Sequence, residues 1–354
     1  MEPANVLAMQ GPFFNVQSLF MESLLSPILD QWQSNQHTLY VVVLVTLVIV
    51  GFYLLFKGGD WLTDGASGLV KASGTNPAVI GLTIVSMATS APELFTSLTA
   101  ATKGSEELII GNLVGSNLAN IGLILGIAVI VKPLNTSNPL SSWQWPFLFA
   151  STLLFTIICL LPHEETIFSR LDGGICLVLM LGFLFLLKKD AREKDVSSEG
   201  NGQLSTAKCV LLLAIAAGIL WLGSEILVEG AVRLAREAGV GDAIIGLTLV
   251  AIGTSLPELA ASLSLARHSQ HAILLGNLVG SNIFNMLLVG GITGAIFTFK
   301  VPPELFQIEF PAMLILTGLL WLLTLGKSPM GKAQGFLLIT LYLAAIAAST
   351  VFHG

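Results

Sequence analysis

Charge is scarce in this chain. Of 354 residues, 16 are Lys or Arg and 22 are Asp or Glu, 11% together, against roughly 25% in soluble domains. That scarcity excludes an ordinary soluble globule. With 54% hydrophobic residues and a mean hydropathy of +0.82, it indicates an all-α polytopic membrane protein. The net charge of −6 and the lack of a basic tract give nucleic acid no footing. Cysteine is also scarce: Cys159, Cys176 and Cys209 form no CxxC pair and no disulfide framework. No Walker motif or catalytic triad occurs, so neither an ATP-driven pump nor an enzyme is expected, and no cofactor is implied. Residues 1–38 hold no Lys or Arg and make a poor signal peptide. They read as an extension, either a surface-lying amphipathic helix or a loosely ordered segment.

What the chain has instead is long apolar runs. A helix needs about 20 residues to cross the bilayer core. The runs predict ten spans, at about 39–58, 77–102, 106–131, 143–161, 168–188, 208–236, 241–267, 271–298, 304–326 and 332–352. The first and sixth run on into polar ends. With the N-terminus outside, eleven Lys and Arg fall on the inner side and five on the outer. The positive-inside rule then favours both termini outside, in the cell membrane. Residues 190–207 form a polar inner linker between a first half (39–189) and a second (208–354).

The halves are copies. Residues 81–127 align with 246–292 without a gap, at an offset of 165 and roughly half identical. "GLTIVSMATSAPEL" faces "GLTLVAIGTSLPEL", and "GNLVGSNLANIGLILGI" faces "GNLVGSNIFNMLLVGGI". Equivalent spans lie five apart. An odd number makes the copies cross the membrane in opposite directions. That is the inverted-repeat plan of secondary transporters, whose ion sites lie near the midplane.

Each copy carries a proline and a glutamate inside an apolar run. Pro92 and Pro257 have no N–H and clash with the carbonyl four residues back, on Ala88 and Gly253. In lipid the backbone groups of a broken helix must be satisfied, or line a hydrated cavity or an ion site. The freed carbonyls are hard oxygen ligands suited to Ca²⁺ or Na⁺. Ser86, Thr89, Ser90 and Glu93 share one helical face. Thr254, Ser255 and Glu258 repeat it, with Ala251 in place of Ser86. Glutamates inside a membrane are costly and point to function. No basic residue lies in the central parts of the spans to pair with them.

The next span of each copy adds a stripe spaced by four: Asn112, Ser116 and Asn120, then Asn277, Ser281 and Asn285. Ser116, Asn120, Ser281 and Asn285 suit an ion site. Asn112, Asn117, Asn277 and Asn282 suit helix–helix contacts equally well. Gly111/Gly115 and Gly276/Gly280 form GxxxG pairs for close helix approach. Two carboxylates among neutral oxygens balance one Ca²⁺, several Na⁺ or two protons. That choice permits an antiporter, with a cation channel as a weaker reading. The all-oxygen ligand set argues against soft metals. His268 and His271 lack a third ligand and read as a loop; His163, Glu164 and Glu165 read as a solvated turn. Asp60/Asp64 and Glu225/Glu229 either draw cations to the two mouths or face solvent.

At "ATSAPE" and "GTSLPE", each followed by "GNLVGSN", the chain resembles the sodium/calcium exchanger family of cation/calcium antiporters. The motifs span about 94 residues. The resemblance implies ten helices in two inverted halves, with the long first and sixth sliding across a core. It implies Ca²⁺ and Na⁺ as substrates, exchanged three Na⁺ to one Ca²⁺. It would make Glu93 and Glu258 shared ligands, joined at Ca²⁺ by the carbonyls of Thr89 and Thr254. The side chains of Thr89, Thr254, Ser116 and Ser281, with the carbonyls of Ser86 and Ala251, would line flanking Na⁺ sites. Asn120 and Asn285 would sit beside the centre. The chain departs from the family pattern at Ala88, where the motif has glycine. It departs again at Asn285, where relatives that co-transport K⁺ carry an acid. The short linker leaves no room for regulatory Ca²⁺-binding domains.

Overall fold

The computed structural model describes residues 37–136, 140–160, 166–193, 205–240, 253–326 and 329–353. The described residues are almost wholly helical, as an integral multi-pass membrane protein must be where backbone polar groups find no water. In order the helices are α1 (His37–Ser73), α2 (Pro77–Thr89), α3 (Ala91–Thr102), α4 (Glu106–Val131), α5 (Gln144–Leu160) and α6 (Arg170–Glu193). Then follow α7 (Thr206–Glu237), α8 (Leu256–Arg267), α9 (His271–Ile296), α10 (Glu309–Leu325) and α11 (Lys332–His353). Among the described residues seven helices are long and apolar enough to cross a membrane, and α2 with α3 makes an eighth, bent span. The apolar α5 is shorter, and residues 241–252, upstream of α8, lie outside the described residues.

The long helices α1 and α7 lie against each other antiparallel. Gly51, Gly58 and Gly65 on α1 press on Leu227, Leu220 and Leu213 of α7. Reciprocally, Gly223 and Gly230 of α7 press on Leu55 and Val48 of α1. Shifting the Gly58 and Gly65 pairs by the repeat offset generates the Gly223 and Gly230 pairs, while the Gly51 pair has Ala216 and Leu62 as its counterpart. The contact therefore has a two-fold axis, as inverted copies require. A glycine every seven residues keeps the seam smooth and narrow along its length. The outer sides of α1 expose Val42, Ile49 and Phe52, as suits a helix facing lipid.

Elsewhere the halves interlock. The end of α4 meets the entry of α11 through a bridge between Leu134 and Met330. The end of α9 meets the entry of α6 through a two-residue antiparallel pair, β1 (Ile167–Phe168) with β2 (Phe299–Lys300). Gly122 and Gly126 admit Tyr342 and Ile339 of α11, and Gly291 and Gly294 admit Leu177 and Phe168. Each half's last helix thus packs on the other half's third span. The three cysteines are free and buried.

Candidate ion site between the two halves

The breaks fall at the proline motifs. Helix α2 ends at Thr89, and Ser90 leaves helical geometry (φ −87°, ψ 3°) before α3 restarts with Pro92 near its first turn. The two segments are bent by 41°. Ser255 repeats the conformation (φ −92°, ψ 6°) ahead of α8, which also starts with a proline. Glu93 and Glu258 therefore sit in the first turns of α3 and α8, where the helix dipole favours negative charge. The last carbonyls of α2 carry the opposite partial charge at the same depth.

Both glutamates are 0% exposed, and none of their four carboxylate oxygens has a hydrogen-bond partner. Ser116 lies against Glu93, and Thr89 lies against Glu258, but neither contact reaches hydrogen-bond geometry. Glu258 is also within Coulombic reach of Glu93. The carboxylates thus form one cluster to which both halves contribute.

The sequence-derived residues gather here. Thr89 Oγ1 reaches Asn277 Oδ1 at 3.2 Å and Ser281 Oγ at 3.3 Å, and so joins α2 to α9. Ser86 Oγ donates to the carbonyls of Gly81 (2.8 Å) and Asn277 (2.9 Å). The Ser86 carbonyl accepts from Ser90 N–H at 2.9 Å and from Thr89 Oγ1 at 3.4 Å. Asn120 donates to Asn282 Oδ1 at 3.0 Å. Ser116 and Asn285 are buried, and Ser116 Oγ and both amide atoms of Asn285 lack partners. Thr254 is half-buried beside Ser255. Ala251 lies outside the described residues, as do His163, Glu164 and Glu165.

Close approach makes the cluster possible. A Cβ on Gly276 would fall 2.5 Å from the Ala78 carbonyl, and one on Gly81 would clash with that of Ile273. The expected GxxxG role thus holds at Gly276, and at Gly280 against Ser86, but not at Gly111 and Gly115, where an added Cβ meets nothing within 4 Å among the described residues. Sequence spacing did not single out Ser90 and Ser255 as ligands. Their hydroxyls are buried and unpartnered next to the breaks. Their place on the glutamate's face was the available signal. Nor did spacing disclose that Asn120 and Asn285 stand in π-helical turns, Ala119–Leu125 and Phe284–Val289. Such turns are frequent at functional sites.

Asp60 and Glu229, from the two acidic pairs of the long helices, have local partners. Asp60 accepts from Ser264 Oγ at 2.8 Å and lies 3.7 Å from Arg267. Glu229 pairs with Arg233 one turn on. His268 sits at the end of α8, with Nδ1 2.9 Å from the Ser264 carbonyl. No cluster of three His, Cys, Asp or Glu suited to a metal occurs among the described residues.

The sequence profile described as "Sodium/calcium exchanger protein" matches residues 43–189 and 208–351. An uncharacterised membrane protein of Methanocaldococcus jannaschii is 34% identical over 302 residues, 84% of this chain and 95% of its own. The sodium/calcium exchanger MaX1 of Methanosarcina acetivorans is 29% identical over 343 residues, 86% of this chain and 97% of its own. The solved structure of the sodium-calcium exchanger NCX_Mj superposes with a TM-score of 0.73 at 29% identity, over 87% of this chain and 99% of that one. The profile covers both halves and stops only at the linker and the ends, so the chain belongs to the sodium/calcium exchanger family.

Proposed function

We propose that the protein is a secondary antiporter that exchanges Ca²⁺ for Na⁺ across the membrane by alternating access. One observation carries this: two fully buried carboxylates, one from each half, have no cationic or hydrogen-bonding partner among the described residues. Ionised groups in that position are very costly unless a cation joins them. One Ca²⁺ neutralises the pair, and the surrounding hydroxyl, amide and carbonyl oxygens complete a hard-ion cage.

In this reading Glu93 and Glu258 are shared by Ca²⁺ and Na⁺. Carbonyls of Thr89 and Thr254 add to the Ca²⁺ position. Flanking Na⁺ positions draw on Thr89, Thr254, Ser116 and Ser281 side chains and on the Ser86 and Ala251 carbonyls. Asn120 and Asn285 border the centre, and the neutral Asn285 argues against K⁺ co-transport. The functional units are residues 39–189 and 208–354, joined by the inner linker 190–207, with both termini outside. Exchange of three Na⁺ for one Ca²⁺ moves one net charge per cycle, so transport is electrogenic. The relatives' names and the NCX_Mj likeness support this reading.

The test is Ca²⁺ uptake into reconstituted vesicles under Na⁺, K⁺ and H⁺ gradients imposed one at a time. An outward Na⁺ gradient alone should drive uptake. Uptake driven by a pH gradient and indifferent to Na⁺ would replace the reading with Ca²⁺/H⁺ exchange by the same glutamates.

A further inference from the structure

The two halves share the residues around their glutamates but not the hydrogen bonds. In the first half, Asn112 Nδ2 donates to the main-chain carbonyl of Glu93 (3.2 Å) and to Ser97 Oγ (3.0 Å). This ties α4 to α3 and holds Glu93 in register with Ser116, one turn along α4 from Asn112. The equivalent trio is Asn277, Glu258 and Ser262. There Asn277 Nδ2 and Ser262 Oγ are fully buried and have no partner. Asn277 turns toward the opposite half instead, accepting Thr89 Oγ1 at its side chain and Ser86 Oγ at its main chain.

A second pair breaks the symmetry in the same sense. Asn120 donates to Asn282. The equivalent donor and acceptor, Asn285 Nδ2 and Asn117 Oδ1, are buried and unpartnered. Buried polar groups left without partners are destabilising. Here the groups able to satisfy them are already present, in the positions that bond in the other half.

We propose that Asn112 and Asn277 are reciprocal positioning residues of the exchange cycle, each clasping the helix that bears its own half's glutamate in one of the two access states. In the state described here Asn112 is closed and Asn277 is open. In the opposite state Asn277 donates to the Glu258 carbonyl and Ser262, Asn285 donates to Asn117, and Asn112 releases Ser97. In an inverted repeat, exchanging the arrangements of the two halves turns a site from one side of the membrane to the other. The inference rests on the antiport reading, and it adds which side chains hold each state.

The test is the half-saturating Ca²⁺ concentration, measured separately from each face of oriented vesicles. Asn277 also accepts Thr89 Oγ1 in the present state, so S97A and S262A are the variants that remove one clasp alone; each destabilises the state its clasp holds and shifts the population toward the other. S97A should change the ratio of the two concentrations about fivefold, the size of one net hydrogen bond. S262A should change it by a similar factor in the opposite direction, and the double variant should return it toward the wild-type ratio. N112A should shift the ratio with the sign of S97A, and it serves if the serine variants fail to fold. Shifts in the same direction, or a loss of rate with an unchanged ratio, would overturn the proposal in favour of a structural role. Wild-type protein that moves no Ca²⁺ counts against the antiport reading alone. The clasp is then read by hydrogen exchange: S97A should loosen 91–102 relative to 256–267, S262A should do the reverse, and equal effects would refute it.

Discussion

Ser224 and Gly59 hold equivalent places in the two long helices, and they treat the two breaks differently. Ser224 Oγ donates at 2.6 Å to the Gly253 carbonyl, the group that Pro257 leaves without its helical donor. Gly59 has no side chain to offer the first break. It lies flat on α8, where a Cβ would fall 2.7 Å from the Ala260 carbonyl. Helix α1 is instead fastened to α8 through Thr63 and Asp60, both bonded to Ser264 Oγ (2.9 and 2.8 Å). Arg267 of α8 reaches back over the Phe56 ring at 4.5 Å, a cation–π contact. The copies have kept the break and the charge in common. Each half satisfies the surrounding backbone in its own way, so the halves are alike in the break and its carboxylate and unlike in what holds the long helices to the core.

The comparison breaks most severely at the shared chemistry. E93Q and E258Q each remove half the negative charge with little change of shape. Each should lower Na⁺-driven Ca²⁺ uptake on the order of a hundredfold, since ligand charge sets Ca²⁺ affinity. Equal losses would support equal contributions from the halves. Next in size is packing. G276A places a methyl 2.5 Å from the Ala78 carbonyl and should cost about 1–3 kcal/mol, read as a fall in Tm of the detergent-solubilised protein. G174A, inside α6, where an added Cβ meets nothing within 4 Å, should not lower Tm and should raise it slightly, by about 0.5–1 kcal/mol of stability.

S224A sharpens the contrast between the tethers. It removes one buried hydrogen bond, worth about 1 kcal/mol, and should change the exchange rate several-fold. G59S should not restore symmetry, because its side chain meets the Ala260 backbone. A lower Tm is the expected result. A88G, which makes the two motifs alike, should have the smallest effect, about 0.5–1 kcal/mol of stability, with transport retained.

Much of this was legible in the sequence because it depends on local rules. Proline at 92 and 257 dictates a break wherever a helix runs, and the repeat offset dictates inversion once the spans are counted. The extended length of α1 was visible as a polar continuation of an apolar run, "GGDWLTDGASGLVKAS". The fastening of Ser86 and Thr89 to α9 was not legible. It needs the Gly81–Gly276 crossing, which brings together residues some 190 positions apart. The opposed states of Asn112 and Asn277 were also hidden, since identical residues in identical motifs carry no sign of which one is bonded. The π-turns at Asn120 and Asn285 arise from packing in the interior of apolar helices and leave no composition signal.

A single ion site built from both halves has a definite stoichiometry. Calorimetric titration of the purified protein with Ca²⁺ at low Na⁺ tests it directly. One Ca²⁺ per chain, displaced by Na⁺ and lost in both E93Q and E258Q, is the predicted result. Two Ca²⁺ per chain, each abolished by only one of the substitutions, would contradict it.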